Sequence, residues 1–459
     1  MAPLPLVPPA PPAETSKTVP ERDVDHETRA VEAISRAFRD IPYYKRKGRV
    51  IPDEAATLAA TLAVTPLLTK QDLRATLPKH WVPEGRDAKA ELASGEIELV
   101  ETSGSTADRL RILWDKGWWL RQEERAMRVN GEVARAIDGA HGAYKEAILT
   151  TPVCGLGSCH TGDLPFDERV EGRHLFLNMR PDPTFWNPEA MTLMLDELVK
   201  HATVGLESDP MYLATLARHA SSLGRTIDVK GFTQLTYAFT TRGMVRAIKK
   251  AYAGPLLQLY GASEVGVLFM EGEDGKLHHA PFTTHVELLR CTVPTPGAKD
   301  VALVVVTTMD RVAQPLVRFV IGDLVQVDWE GPRRFTTVPP LVSVEGRAAD
   351  AVVRPDGALV TAGAIDRAIG EVVDVAFFQL NQHTPERVEV DVVAEAGAGD
   401  GVAEAVRAKL EPLFTGLALT VRTTTAIAAE PSGKFRVSRR HFPLDLGRAF
   451  EGCDGVSAA

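Results

Sequence analysis

Four hydroxyl side chains crowd one glycine in Glu101-Thr102-Ser103-Gly104-Ser105-Thr106. Small residues let successive N–H groups turn together into a concave nest, and hydroxyl donors around such a nest suit a bound phosphate. The same six residues also suit an ordinary Ser/Thr turn. In Tyr260-Gly261-Ala262-Ser263-Glu264 a glycine permits a sharp turn and a carboxylate follows it. That carboxylate falls at the C-terminal end of a strand, where ligands sit in open α/β sheets. A single carboxylate there can bind Mg²⁺, which takes one or two protein carboxylates beside substrate phosphates; a capped turn is the plainer alternative. Pro315-Leu316-Val317-Arg318-Phe319-Val320-Ile321-Gly322-Asp323 sets an arginine and an aspartate beside an apolar strand. Asp323 can accept two ribose hydroxyls or simply start the turn before Val325. Pro431-Ser432-Gly433-Lys434 places one lysine at the tip of a turn.

These groups need elements to hold them. A helix is expected from about Asp25 through Ile34 and Phe38, ending before Pro42. Thr69 can cap a second helix, with Asp72 answering three residues on. Ile97-Glu98-Leu99-Val100 alternates as a strand that feeds the hydroxyl stretch. Ala126, Val129, Val133 and Ile137 recur at helical steps and predict one helix from Trp118 to about Ile137. Helices are expected over 193–201, 211–223 and 245–252, and strands at 147–149, 256–260 and 301–307, the last a buried Val/Leu run. Strands thus alternate with helices to about residue 345, which predicts an α/β architecture rich in parallel sheet. Beyond 347, strand-like 375–380, 388–393 and 419–424 and a helix over 402–413 predict a smaller, separate α+β domain. The expected organisation is a disordered leader at 1–25, a large domain at 26–346 and a lid at 347–459.

The chain of 459 residues is ordinary in its 44% hydrophobic and 25% charged content. With a net charge of −9 and no basic stripe interleaved with aromatics, nucleic acid is not expected as a partner. No apolar run approaches the roughly 18 residues of a membrane span; residues 55–68 are interrupted by threonines and Pro66. Met1-Ala2-Pro3-Leu4-Pro5 lacks the basic start of a signal peptide, and four cysteines make no disulfide framework. A cytoplasmic location is expected.

In their order and spacing, these segments resemble the adenylate-forming (AMP-binding) superfamily, most closely its phenylacetate–coenzyme A ligase branch. Residues 102–106 look like its phosphate loop, 260–264 its Tyr-Gly-x-Ser/Thr-Glu motif, and 315–323 its Pro-Leu-x-Arg-Tyr-x-x-Gly-Asp motif. Gly346-Arg347 looks like its hinge-proximal pair, and 431–434 the turn carrying its mobile lysine. Ile41-Pro42-Tyr43-Tyr44 and Leu68–Arg74 also resemble the ligase branch. The resemblance spans residues 30 to 440. It implies that Thr102, Ser103, Gly104, Ser105 and Thr106 hold the β- and γ-phosphates of ATP. Tyr260 would stack on adenine, with Ala238, Gly261, Ala262 and Ser263 around the nucleotide. Asp323, assisted by Arg347, would bind the ribose, and Glu264 would bind Mg²⁺. Lys434, with Glu264 and Thr106, would carry catalysis, bridging the substrate carboxylate and the reacting phosphate. Cys154, His160, Tyr237, Phe239 and Gly261 would line the acid pocket. The implied reaction activates a small aromatic carboxylic acid as its acyl-adenylate and passes it to coenzyme A, in a protein that is often a homodimer.

The chain departs from the family at three places. Ala107-Asp108-Arg109 stand where glycine and often lysine follow the phosphate loop, Arg109 offering a substitute charge. Ala238-Phe239-Thr240 replace Gly-Glu-Pro near the adenine. Ala349 stands where hinges carry Asp or Lys, which keeps a carrier protein, an amine or a hydroxyl in play as acceptor. Cys154, Cys159 and His160, with Cys291, could form a zinc site of non-standard spacing, or the glycine-rich loop that holds the first three could edge the pocket. His278-His279 reads as a packed pair or a turn. Two other readings are a serine hydrolase using Ser263, although Val265 stands where its elbow needs glycine, and a nucleotide-binding module without turnover.

Overall fold

The computed structural model describes residues 25–46, 57–74, 77–102, 110–141, 144–152 and 164–458. The expected leader up to residue 24, Ser103 to Arg109, and the loop carrying Cys154, Cys159 and His160 lie outside the described residues. Helix α1 (His26–Asp40) buries Ala30, Ile34 and Phe38 along one stripe and gives way at Ile41, which is extended before Pro42. Short helices α2 (Pro42–Arg46), α3 (Leu58–Val64), α4 (Lys70–Arg74) and α5 (Ala88–Ser94) follow. The capping box at α4 forms: Thr69 N–H donates to the Asp72 carboxylate at 3.0 Å, and Asp72 N–H to the Thr69 hydroxyl at 3.4 Å.

Strands β1 (Ile97–Glu101) and β2 (Arg111–Asp115) pair antiparallel on either side of the hydroxyl stretch. The single helix expected over 118–137 is two, α6 (Trp118–Met127) and α7 (Gly131–Gly139). Asn130 makes the break: its backbone is extended and its side-chain oxygen accepts from Glu132 and Val133 N–H, capping a new helix.

A twelve-stranded sheet forms the body of the chain among the described residues. Its parallel half comprises β3 (Glu146–Leu149), β5 (His174–Phe176), β6 (Gly205–Ser208), β7 (Phe232–Leu235) and β8 (Leu256–Ala262), with β4 (Val170–Glu171) antiparallel at the edge. Helices α8 (Pro188–His201), α9 (Pro210–Ser222) and α10 (Arg242–Ala251) make the crossovers. The expected alternation stops at β8. From there β9 (Gly266–Glu271), β10 (Leu277–His279), β11 (Thr284–Arg290), β12 (Val301–Thr308), β13 (Phe319–Val327) and β14 (Leu341–Arg347) pair antiparallel. The links explain it. Residues 263–265 between β8 and β9 are far too few for a parallel crossover, which needs a dozen or more.

After β14 come β15 (Val352–Val353), β16 (Leu359–Val360) and α11 (Ala362–Ile369). A four-stranded sheet then forms from β17 (Val375–Thr384), β18 (Arg387–Ala394), β19 (Ala418–Thr424) and β20 (Ser438–Arg440), with α12 (Val402–Leu410) before β19. This smaller part is α+β, as expected. It shares one continuous core with the parallel half: Ile365, Phe377 and Phe435 belong with Leu206, Tyr212 and Ile248. Arg218 on α9 donates to Glu395 at 2.7 Å, and Arg242 N–H at the start of α10 donates to Asp366 on α11 at 3.0 Å. Among the described residues no helix is long and apolar enough to cross a membrane.

Three buried histidines tie α1 to the antiparallel half. His26 Nε2 lies 3.3 Å from His285 Nδ1, and the His26 ring stands edge-on to His279 at 5.6 Å. His279 meets Thr336 and Thr284 hydroxyls, while His278 pairs with Asp274, so His278-His279 is packed side chain by side chain. Burial, then the nearby His26 and Arg318, pushes His285 down to about 3. The folded protein therefore resists a proton that the unfolded chain accepts below about 6.5. Relative to neutral pH, stability falls as pH drops from about 6.5 towards 3, by up to about 1.4 kcal/mol per pH unit for this one ring. Urea unfolding at pH 7.5 and pH 5 should show His285→Gln losing about 2 kcal/mol less than the parent over that interval. Equal losses in the two proteins would contradict this origin of the acid sensitivity.

Candidate active site

The hydroxyl stretch is closed at its base. Thr102 N–H donates to Leu110 O at 2.8 Å, and Leu110 N–H returns a bond to the Thr102 hydroxyl oxygen at 2.9 Å. Thr102 is therefore the neck of the loop whose other residues, Ser103, Gly104, Ser105 and Thr106, lie outside the described residues.

Strand β2 is fastened to the 260–264 segment. Trp114 Nε1 donates to Ser263 O at 3.0 Å. Arg311, fully buried, donates one guanidinium nitrogen to Glu264 O at 2.6 Å and another to Leu113 O, and lies over the Trp118 ring at 5.1 Å. Burial draws its pKa down to about 10 against the pull of Asp115 and Asp310. Gln314 accepts Leu113 N–H at 2.6 Å, and Asp115 accepts from Val312 and Ala313. Sequence reasoning missed Arg311; its signal is a charged pair, Asp310-Arg311, standing one residue past a strand that is buried along its whole length. Arg318, by contrast, faces away from these groups. It pairs with Glu287 at 2.8 Å and donates to Leu62 and Thr65 carbonyls.

Glu264 is 7% exposed, with its main-chain oxygen held by Arg311. Among the described residues no hydrogen bond to its carboxylate is made, so a cation can take it, and no cluster of three His, Cys, Asp or Glu side chains could hold a metal without outside ligands. One protein carboxylate with the rest of the shell from substrate and water is what Mg²⁺ accepts. Cys291 does not join a described metal cluster; its thiol faces Val293 O at 3.5 Å. Gly261 is required by packing, since a Cβ there would come within 2.4 Å of Gly266 O on the returning strand. That return also removes the hydrolase reading, because Ser263 sits in a β8–β9 hairpin turn and no helix follows it.

Tyr260, Asp323 and Arg347 converge from β8, β13 and β14. The Tyr260 hydroxyl donates to Asp323 Oδ2 at 3.0 Å, and Arg347 Nε stands 3.7 Å from Oδ1. Burial and then the Asp323 charge push the Tyr260 hydroxyl well above its usual range, which fixes it as a donor. A cavity of about 480 Å³ between the parallel half and α11 is lined by Phe239, Thr240, Gln258, Ser343, Val344 and Arg367, and Tyr260, Asp323 and Arg347 are not in its lining. A larger cavity of about 740 Å³ opens on the C-terminal sheet around Arg422, Glu430 and Arg439 and includes none of the expected nucleotide residues.

Lys434 arrives from the C-terminal part. Its turn is closed by Glu430 N–H to Lys434 O at 2.8 Å and Gly433 N–H to Glu430 O at 2.7 Å. Gly433 has φ +79, and a Cβ there would meet Thr151 Oγ1 at 2.2 Å and Pro181 O at 2.5 Å. Only glycine lets the turn dock this closely. The Tyr212 hydroxyl, between Pro181 O and Gly433 O at 2.6 and 2.9 Å, holds the turn down. Lys434 Nζ then donates to Tyr237 O at 2.9 Å. Tyr237 has φ +70, the left-handed turn that exposes this carbonyl just before Ala238. Below the turn, burial raises the Asp209 carboxyl to about 6, with Lys434 drawing it back. The structure thus gathers Lys434, Tyr237, Ala238 and Phe239 on one side, and Tyr260, Asp323 and Arg347 on another.

No protein-family model matches the chain, and no curated protein does. Solved structures of a 2-hydroxyisobutyryl-CoA ligase share its fold. In the postadenylation state with 2-HIB-AMP, that ligase is 15% identical, with 94% of this chain and 93% of that chain covered and a TM-score of 0.65. The same state with R3-HIB-AMP gives 16% identity, 93% coverage of each chain and a TM-score of 0.63. The open conformation with 2-HIB-AMP and CoA gives 16% identity over 90% and 89%, with a TM-score of 0.52. None of the three is named as a phenylacetate–coenzyme A ligase, and that branch rests on the motifs alone. The chain therefore has the two-part fold of this acyl-CoA ligase, a large mixed α/β part followed by a smaller α+β part.

Proposed function

We propose that the chain condenses a carboxylic acid with ATP to an acyl-adenylate, releasing pyrophosphate, and then transfers the acyl group to the thiol of coenzyme A. The observation that carries this reading is Lys434, whose ammonium is delivered from the C-terminal part to the carbonyl of Tyr237 at 2.9 Å. A carboxylate approaching the α-phosphate meets a like charge, so alignment and positive charge must do most of the work. Lys434 bridges the two anions where charge develops. Asp323, oriented by Tyr260 and Arg347, accepts the ribose hydroxyls, and the Tyr260 ring lies beside adenine with Gly261, Ala262, Ser263 and Ala238 around it. The loop closed by Thr102 and Leu110, with Ser103, Gly104, Ser105 and Thr106, cradles the outer phosphates. Mg²⁺, held through Glu264, would neutralise charge on the phosphate oxygens. Tyr237, Phe239 and Gly261, with Cys154 and His160, bound the acid, which the motif resemblance makes small and aromatic.

In this reading residues 26–346 form the ATP- and acid-binding domain and 347–459 the lid. The pivot is Gly346-Arg347, where Gly346 takes φ +92 and a Cβ would meet Ala362 Cβ at 2.7 Å. Rotation there withdraws Lys434 and admits the acceptor. The higher likeness to the postadenylation than to the open form of the solved ligase supports a closed arrangement here. Ala349, in place of a charged hinge residue, favours a second reading in which a carrier protein, amine or hydroxyl takes the acyl group.

Pyrophosphate release over a panel of aryl acids tests the first step, and analysis of products with and without coenzyme A tests the second. Thioester formation only with coenzyme A is expected; ester or amide without thioester would favour the second reading. Lys434→Ala should cut adenylate formation on the order of 100-fold or more while sparing thioester formation from supplied acyl-adenylate. Equal loss in both half-reactions would contradict its role. Glu264→Gln should raise the Mg²⁺ concentration needed for half-maximal turnover about tenfold, and an unchanged requirement would remove Glu264 from the site.

A further inference from the structure

Behind Tyr237, three carboxyl groups are buried near enough to repel one another. Glu207 on β6 is in register with Gln234 on β7 and Ile148 on β3, so Glu146, two residues from Ile148, lies on the same face. Glu123 comes down on them from α6. Their exposures are 9% for Glu123, 3% for Glu146 and 6% for Glu207. Glu146 has its own neighbours, Arg173 Nε at 3.9 Å and His174 Nε2 at 3.5 Å. Donors on Tyr237 and Gln234 draw the Glu207 carboxyl back down against burial, and the Trp119 donor does so for Glu123.

Those donors do not fill the site. Glu123 Oε1, Gln234 Oε1 and the Tyr144 hydroxyl are buried with no hydrogen-bond partner. Gln234 is fully buried, and its amide nitrogen donates to Met127 Sδ at 3.9 Å. Unpartnered acceptors beside carboxyls that repel one another cost free energy unless protons or a bound cation supply donors. Burial, then repulsion from Glu146, drives Glu207 up to about 8, and burial with repulsion from Glu207 raises Glu123 well above the usual carboxylate range. The group adjoins the proposed reaction centre along β7: Gln234 pairs with Glu207, and three residues on Tyr237 gives its carbonyl to Lys434.

We infer that the acid activated here carries a protonated amine, whose N–H groups are received by Glu123, Glu207 and Gln234 while its carboxylate lies at Lys434. Glu146 stays with Arg173 and His174, leaving two carboxylates and one amide oxygen for the cation. This rests on the adenylation reading for the carboxylate end only. It identifies the substrate class as amino-bearing acids about one tyrosine side chain from carboxylate to nitrogen.

Pyrophosphate release should be measured with matched acids, 4-(aminomethyl)benzoate against 4-methylbenzoate and the corresponding phenylacetates. Binding of the same acids without ATP should be followed by calorimetry. The aminomethyl acids should be preferred on the order of 100-fold, and Glu207→Gln and Glu123→Gln should each reduce that preference at least about tenfold. Preference for the methyl acids, or a ratio unmoved in both variants, would overturn the inference while leaving adenylation intact. Aminomethyl acids that bind the parent and not Glu207→Gln, yet release no pyrophosphate, would uphold the inference and overturn the adenylation reading. No binding of any aminomethyl acid would overturn the inference outright.

Discussion

One ammonium group, carried 197 residues along the chain, is held against one main-chain carbonyl: Lys434 on Tyr237. A charged hydrogen bond of this kind contributes only about 1.5–3 kcal/mol, so it does not hold two parts of a protein together by itself. The turn around Lys434 is held by Tyr212 and by the close seat that Gly433 alone permits. Farther out, Arg218 with Glu395, Arg242 N–H with Asp366, and a shared apolar core hold the C-terminal part against α9 and α10. Placement of the charge is thus a consequence of the whole interface. If the C-terminal part turns about Gly346-Arg347 as proposed, all of these contacts must be released together.

The opposite wall is built for rigidity. Arg311 bonds to Glu264 O and Leu113 O, so the strand leaving the hydroxyl loop and the turn bearing the proposed Mg²⁺ ligand share one buried cation. Tyr260 and Arg347 then orient Asp323. Side chains locked by burial and by their own hydrogen bonds are what electrostatic catalysis requires, because donors that need not reorganise are worth most. The two walls differ in kind: one is tied together by buried bonds within the large α/β part, and the other is seated from the C-terminal part.

Much of this was legible where a feature is local. The Thr69–Asp72 capping box, the end of α1 at Pro42 and the buried run Val301–Thr308 each follow from a few neighbouring residues. Tyr260, Asp323 and Arg347, singled out from three separate stretches of sequence, do meet in the fold. The split at Asn130 was missed because four well-spaced apolar residues outweighed one capping side chain. The antiparallel half was missed because strand direction depends on link length, and the link at 263–265 was hidden inside a motif. Glu123 and Glu207 could not be found from periodicity. A glutamate on an amphipathic helix reads as surface, and only the sheet register brings it beside a second one. The usable signal was Glu207 and Gln234, polar residues inside short apolar strands between helices.

The central claim is that a carboxylate oxygen becomes bonded to the α-phosphorus of ATP between these walls. Turnover of an accepted acid labelled with ¹⁸O in its carboxylate, followed by mass analysis of the nucleotide and phosphate products, tests it most directly. One ¹⁸O in the released AMP is the predicted result. Label in inorganic phosphate, with ADP as the nucleotide product, would contradict it.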